Sequence, residues 1–155
     1  MPISDYSNEG DNELVVAIKA KNWERVRTML EEDEETTVQL IRGRDEYGNA
    51  PLHAALGFLA PDDVSLTILH KYPEAVMVRG TEDWLPLHVA AMWGASPKVV
   101  EALIRQYPAA LDDRAAGPPK GRTPRHFGAR REETRHLFER STEEWETIID
   151  DGRRS

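Results

Sequence analysis

Cysteine is absent from this 155-residue sequence, and no apolar run approaches the ~20 residues that a membrane-spanning helix needs. The chain therefore has no disulfide framework, no thiolate zinc site and no thiol nucleophile, and we expect it in a reducing compartment. Its opening segment, MPISDYSNEGDNE, has neither the basic start nor the apolar stretch of a signal peptide. We expect a soluble protein, cytoplasmic or nuclear, that does not bind membranes.

Basic charge is also scarce, with 20 Lys and Arg against 28 Asp and Glu and a formal net charge of −8. A general affinity for phosphate backbones would need a strong local basic patch, so nucleic acid is not an expected partner. The charge is uneven, because residues 1–46 carry 12 acidic and 6 basic side chains while residues 118–155 carry 8 and 9. We expect an acidic end and a mildly basic end.

The densest basic stretch, here called the basic run, comprises Lys120, Arg122, Arg125, Arg130, Arg131 and Arg135. Glu132 and Glu133 dilute its charge. The run fits two interpretations, a contact for an acidic partner and a solvated capping surface.

Signatures of catalysis and of cofactor binding are missing. The sequence has no Gly-rich phosphate loop, no nucleophile elbow and no paired-carboxylate pattern. The acidic run Glu31–Glu35 lacks the alternating oxygen ligands and the central glycine of a calcium loop, which favours a solvated helix end or loop. We expect a protein that is not an enzyme and that holds no cofactor.

An internal repeat organises the chain. Asn49–Leu56 (NAPLHAAL) and Trp84–Ala91 (WLPLHVAA) share Pro-Leu-His followed by small residues, and Arg122–Ala129 (RTPRHFGA) is a degraded third copy. Further on, Val64–Val76 and Val99–Leu111 align without gaps and both carry Tyr-Pro at the same offset. The sequence thus contains two full repeats.

Each repeat is predicted to form two short helices. Proline at the first helical position loses no hydrogen bond, and Pro51, Pro86 and Pro124 are placed there. The first helix is predicted to end near Gly57 or Gly94. The second is predicted to begin at Asp62 or at Ser96, where Pro97 follows, and to end before Pro73 or Pro108. Neither helix alone buries its apolar face, so neighbouring repeats must stack.

These residues resemble the ankyrin repeat. The first copy matches its pattern at Asp45, Gly48, Pro51, Leu52, His53 and Ala55, and the second at Pro86, Leu87, His88, Ala90 and Ala91. The Tyr-Pro pair resembles a variant of diatoms and other algae. The resemblance implies an all-α solenoid of helix-turn-helix repeats with finger loops, and we expect a short C-terminal helix to close it.

The expected organisation is a flexible tail at 1–11, an ankyrin-repeat domain at 12–140, and a C-terminal helix and tail at 141–155. Within the domain we expect a cap at 12–44, repeats at 45–79 and 80–114, and a second cap at 115–140. Ser141 and Glu144 are placed to begin the terminal helix. Trp23 and Trp145 are expected to be buried.

The sequence departs from the family pattern in three ways. Ala50 and Leu85 stand where a capping Thr precedes the Pro, so two helix caps are weakened. Asp83 stands where the finger turn has Gly, which leaves the shape of the second finger open. Glu31–Thr37 is an acidic insertion, and Ala115–Pro119 lengthens the last finger.

The histidines invite a metal or general-base interpretation. His53, His88 and His126 recur once per repeat, but stacked repeats lie ~10 Å apart, too far for the three to share one zinc ion. The family resemblance implies instead that this His hydrogen-bonds backbone between repeats. His70 and His136 are expected on the surface, and we expect no metal site.

The resemblance implies binding of a protein partner through the finger tips and the concave face of the first helices. The expected partner-binding residues are Tyr47, Phe58, Trp84, Met92, Trp93, Arg130 and Arg131. Phe58 and Trp93 could instead fold inward and fill gaps between repeats. The expected function is a monomeric, non-catalytic adaptor, inhibitor or assembly factor. The alternatives are a self-associating structural module and, less favoured, an enzyme with its site in the groove.

Overall fold

A computed structural model describes residues 12–115 and 121–154. In these two stretches all regular structure is helical. The α-helices are α1 (Glu13–Lys19), α2 (Trp23–Leu30), α3 (Glu34–Arg42), α4 (Pro51–Gly57), α5 (Asp62–Lys71), α6 (Pro86–Trp93), α7 (Pro97–Gln106), α8 (Pro124–Gly128), α9 (Glu132–Glu139) and α10 (Thr142–Arg154). The 3₁₀ helices are Pro73–Met77, Thr81–Asp83 and Pro108–Asp112. The predicted tail at 1–11 and most of the 115–119 insertion lie outside the described residues.

The helices form two stacked rows. One row is α1, α4, α6 and α8, in which each helix packs on the next, and the other is α2, α5, α7 and α9. The hydrophobic core lies between the rows and runs through the stack as one cluster. The fold is therefore an all-α solenoid of the ankyrin-repeat type, as the sequence predicts, because each helix pair buries its apolar face against its neighbours.

The proline pattern sets the helix ends as predicted. Pro51, Pro86 and Pro124 open α4, α6 and α8, and Ser96 caps α7 by accepting a hydrogen bond from the amide of Val99. The second helices end just before Tyr72 and Tyr107. The prolines that follow also open 3₁₀ helices, which bury Ala75–Val76 and Ala110–Leu111 and extend the core.

The acidic insertion Glu31–Thr37 comprises the C-cap residue of α2, a short connection and the start of α3, in keeping with the solvated helix end or loop expected for Glu31–Glu35. Asp33 accepts a hydrogen bond from the Thr36 amide at 3.1 Å and caps α3, whose first turn carries Glu34 and Glu35. Acidic side chains stabilise a helix N-terminus, and Thr37 and Ile41, one turn apart, are buried. The insertion therefore adds a helix to the N-terminal cap.

The terminal helix α10 closes the last helix pair. Ser141 caps it by accepting from the amide of Glu144 at 3.1 Å. Trp145 is 1% exposed, and its indole Nε1 donates to the carbonyl of Leu137 at 3.1 Å. Trp23 is half-buried against the core rather than buried as expected, because it stands at the first position of α2. None of the helices in the described part of the chain has both the length and the apolar content that a bilayer crossing requires.

Candidate functional site

A groove lies between two finger loops and the first helices of the two full repeats. The first finger is residues 45–49, the second finger is residues 80–84, and the groove between them and helices α4 and α6 has a volume of about 510 Å³. Pockets that hold ligands range over about 300–1,000 Å³. The groove is thus large enough to hold several side chains of a partner.

The first finger is a tight turn held by a buried carboxylate. Asp45 Oδ1 accepts hydrogen bonds from the amides of Tyr47 and Asn49, both at 2.9 Å. Lys19 Nζ of α1 lies 3.4 Å from Asp45 Oδ2, so the buried charge is paired. Gly48 takes a φ of 86°, which glycine adopts without strain. The turn presents the side chain of Tyr47 to solvent.

The second finger keeps the closing backbone hydrogen bond of the first but has a different turn, because Glu82, with a φ of 59°, takes a positive φ as well as Asp83, whereas in the first finger Gly48 alone does so. Asp83 has a φ of 63° at the position equivalent to Gly48, and the Gly80 amide donates to the Trp84 carbonyl at 2.8 Å. An L-residue pays roughly 1–2 kcal/mol for the left-handed region, although Asp tolerates it better than most. The shape of the second finger, which the sequence left open, therefore differs from that of the first, at a cost in backbone strain at Glu82 and Asp83.

The two fingers are linked to each other by side-chain hydrogen bonds. Asn49 Nδ2 donates to Thr81 Oγ1 at 3.0 Å, and the Thr81 amide donates to Asn49 Oδ1 at 2.8 Å. Both residues also line the groove. These bonds fix the separation of the fingers and hence the width of the groove.

His53 joins the first full repeat to the second finger. Its Nδ1 accepts the amide proton of Ala50 at 3.1 Å, so Nε2 carries the ring proton and donates to the carbonyl of Trp84 at 2.9 Å. Burial lowers the pKa of His53 to about 4, because desolvation disfavours the imidazolium. The ring thus satisfies the amide of Ala50 itself, while Ala50 offers no side-chain cap to the first turn of α4.

His88 repeats this arrangement one repeat further. Its Nδ1 accepts from the amide of Leu85 at 3.0 Å, its Nε2 donates to the carbonyl of Asp113 at 2.9 Å, and burial lowers its pKa. The predicted backbone bonding between repeats is confirmed at both positions. It is wrong for His126, which is exposed because α9 and α10 follow it where the other two have a further finger. The exposed positions expected for His70 and His136 are confirmed.

Three of the predicted site residues bring exposed aromatic surface to the groove. Tyr47 is 64% exposed on the first finger, Phe58 is 37% exposed after α4, and Trp93 is 54% exposed at the end of α6. Phe58 and Trp93 therefore do not fold inward as the alternative interpretation had it. Ala54, Gly57 and Val89 line the same groove and add little bulk to it.

Trp84 lines the same groove but is also part of the packing. It is half-buried, and its ring lies 5.3 Å from that of Phe127 and 5.9 Å from that of His88, centroid to centroid. Its indole Nε1 is buried and has no hydrogen-bond acceptor among the described residues. The residue thus joins the groove wall to the core of the next helix pair.

Met92, Arg130 and Arg131 lie outside the groove lining. Met92 is 36% exposed, and Arg131 Nη2 donates to its carbonyl at 3.0 Å. A Cβ at Gly94, where φ is 85°, would come 2.7 Å from the Arg131 guanidinium, so this close contact needs the glycine. Arg130 is exposed beside it.

Much of the basic run binds the protein's own backbone. Arg125 donates to the carbonyl of Arg140 at 2.7 Å and pairs with Asp112 at 2.7 Å, and Arg135 donates to the carbonyl of Ala129 at 3.1 Å. Arg125 thereby ties α8 to the end of α9 and to the preceding 3₁₀ helix, whereas Arg135 bonds within the last helix pair. Lys120 lies outside the described residues.

Sequence analysis missed Lys19 and Glu82, which also line the groove. Lys19 comes from the first cap helix, and nothing local in the sequence indicates that it reaches Asp45. Glu82 directly precedes Asp83, the residue that replaces the finger glycine. Its position four residues before Pro86 was the signal in the sequence that could have placed it on the second finger. Within residues 12–115 and 121–154, no group of three His, Asp or Glu side chains is placed to hold a metal ion.

Comparison with known proteins agrees with this geometry. Residues 82–113 match the family model of the ankyrin repeat. The matched segment takes in most of the second finger, both helices of the second full repeat and the 3₁₀ helix that follows. The match supports an ankyrin-repeat family, whose members are generally protein-interaction modules without catalysis. No curated protein matches the sequence. The resemblance of the Tyr-Pro pairs to diatom and algal repeats stays a prediction.

Proposed function

We propose that this protein is a non-catalytic adaptor, inhibitor or assembly factor that binds a protein partner in the groove between the fingers and α4 and α6. The observation that carries this proposal is the exposed aromatic surface of Tyr47, Phe58 and Trp93 around one groove. Aromatic side chains supply most of the hot spots of protein interfaces, and clustered exposed apolar surface is uncommon on a protein without a partner.

The groove is also preorganised for binding. The Asn49–Thr81 bonds and the His53–Trp84 bond fix both fingers relative to the helices. A rigid surface loses little conformational entropy when a partner docks, so more of the contact energy appears as affinity. This supports recognition by a preformed surface.

Met92, Arg130 and Arg131 form a second, outer part of the proposed surface. Since the guanidinium of Arg131 already binds the Met92 carbonyl, Arg130 is the better candidate to meet an acidic group of the partner. Charges at the rim of an interface act mainly on the association rate. We place the protein in the cytoplasm or nucleus, as a monomer.

Replacement of Trp93 by Ala tests the proposal. The protein and its variants, immobilised at equal loading, are used to capture binding proteins from a native lysate, and the captured proteins are quantified. Trp93→Ala should weaken capture by ~2–4 kcal/mol, the usual cost of losing an aromatic hot spot. Met77→Ala is the matched control, because Met77 is 56% exposed and lies outside the groove lining.

Equal capture by Trp93→Ala and the parent protein would contradict the proposal. Trp84→Ala is not used alone, since loss of its packing on Phe127 would also lower stability. Sedimentation equilibrium of the isolated protein separates the alternative function from this one. A tight dimer that Trp93→Ala dissociates would favour self-association through the same surface.

A further inference from the structure

The charged side chains that line the groove determine the charge that it presents to a partner. Three charged side chains line it, Lys19, Asp45 and Glu82. Lys19 and Asp45 pair with each other, and Asp45 is further occupied by two amides of its own finger. Glu82 is exposed, and within residues 12–115 and 121–154 no ion pair joins it to another side chain. The groove therefore presents one negative charge that a partner can meet.

The surroundings of the groove strengthen this negative charge. Glu46 on the first finger is exposed, and its carboxylate raises the pKa of the Tyr47 hydroxyl chiefly through a side-chain hydrogen bond. Asp83 is exposed next to Glu82, and its carboxylate lies 3.5 Å from the Arg79 guanidinium. The nearby cation Arg79 is held by Asp113, with distances of 2.9 and 2.6 Å to its two carboxylate oxygens. The fingers themselves, residues 45–49 and 80–84, thus carry four carboxylates and no Lys or Arg. The exposed Arg44, next to the first finger, donates to the carbonyl of Arg79 at 3.4 Å.

The same groove offers sites for apolar and cationic groups side by side. Trp93 and Phe58 line the groove together with Ala54, Gly57 and Val89, whose low bulk leaves room for one bulky apolar side chain of a partner. The exposed face of an indole also attracts a guanidinium or ammonium group within about 6 Å. Trp93 can therefore contact both an apolar anchor and a basic neighbour.

From this juxtaposition we infer that the groove binds an extended segment of a partner protein in which a bulky apolar side chain lies close in sequence to a Lys or Arg. The apolar side chain docks between Trp93 and Phe58, and the basic side chain pairs with Glu82. This inference rests on the proposed function and specifies the chemistry of the partner.

A random nonapeptide library displayed on phage, selected on the immobilised full-length protein, tests the inference. Selected sequences should be enriched in Leu, Phe or Trp within about three positions of Lys or Arg. The most enriched peptides are then synthesised with a fluorophore and titrated against the protein and its variants by fluorescence polarisation.

Glu82→Gln should raise the Kd of these peptides about two- to five-fold, since exposed ion pairs contribute roughly 0.2–1 kcal/mol. Glu82→Lys should raise it further, and the parent protein should bind more weakly at high salt while Glu82→Gln responds less. Trp93→Ala should raise the Kd more than about ten-fold. The matched controls are Glu74→Gln and Met77→Ala, two exposed side chains outside the groove lining, and both should leave the Kd unchanged.

The outcomes separate this inference from the proposed function. Peptides that depend on Trp93 but are acidic, or are indifferent to Glu82, overturn the inference and leave groove binding in place. Peptides that bind equally to Trp93→Ala, or a selection that yields no binder above background, count against the groove as a binding site and hence against both.

Discussion

His53 donates a hydrogen bond from Nε2 to the carbonyl oxygen of Trp84, 2.9 Å away at the end of the second finger. The two residues belong to successive repeats, and both line the groove. One bond therefore holds a repeat to its neighbour and shapes the wall of the candidate site. His53 therefore contributes both to the stability of the fold and to the geometry of the groove.

Stability should fall as the pH falls below 6.5. The folded state keeps His53 neutral, with a pKa of about 4 against 6.5 in the unfolded chain, so the unfolded chain binds the proton first. Its contribution is fully present above pH 6.5, is about 2 kcal/mol smaller at pH 5, and is lost by pH 4. Urea unfolding at pH 7 and pH 5 measures the change.

Two variants isolate the part due to His53. His53→Gln should be less stable at pH 7 but should lose less stability than the parent between pH 7 and 5, with a remainder from His88, whose pKa is also lowered. His70→Gln, at an exposed histidine, should keep the parent's pH dependence. An unchanged pH slope in His53→Gln would show that this ring does not titrate in the window.

The backbone bonds of His88 should make a measurable contribution to folding. His88→Ala leaves the Leu85 amide and the Asp113 carbonyl without their partner and should cost ~1–3 kcal/mol of unfolding free energy at pH 7. His126→Ala is the control at the equivalent position of the last copy and should stay within about 0.5 kcal/mol, because this ring is exposed. Equal losses in the two variants would contradict the assigned role.

Relief of the strain at Asp83 should stabilise the protein. Asp83→Gly places glycine at a φ of 63°, and we expect a gain of about 0.5–1 kcal/mol after the extra flexibility of the unfolded chain is counted. Thermal unfolding monitored by circular dichroism at the helix band gives the shift in Tm.

Gly48→Ala is the matched test in the first finger. A Cβ there meets no atom within 4 Å, so a loss of about 1 kcal/mol would come from the φ of 86° alone.

For the second finger, destabilisation by Asp83→Gly would mean that the bond from Arg79 to the Asp83 side chain outweighs the strain.

Two tryptophans should differ sharply in their effect on folding. Trp145→Ala removes a fully buried ring and its bond to Leu137, and should cost ~3–5 kcal/mol. Trp93→Ala removes an exposed ring and should change the unfolding free energy by about 0.5 kcal/mol or less. Chemical unfolding of both variants provides the comparison, and a large loss in Trp93→Ala would place that ring in the core.

The sequence by itself determined the repeat and the ends of its helices. The positions of Pro51, Pro86 and Ser96, with the Tyr-Pro pairs, act through φ, the missing proline amide and local capping, which involve residues a few positions apart. The sequence also predicted that the repeats stack on one another, because helices this short cannot bury an apolar face alone. The sequence also predicted the backbone bonding of His53 and His88. The same prediction failed for His126, which has the local pattern but no further finger to bond.

Only the tertiary structure decided which aromatic side chains are free to bind. Trp84 and Trp93 look alike in the sequence, yet the first packs on Phe127 of the next helix pair while the second stays exposed. The tertiary structure likewise decided two long-range contacts, that of Arg131 with the Met92 carbonyl and that of Lys19 with Asp45. It also decided the helix in the acidic insertion, which depends on burying Ile41. Each of these contacts joins residues far apart in the chain, so its formation depends on how the repeats stack and not on any local spacing.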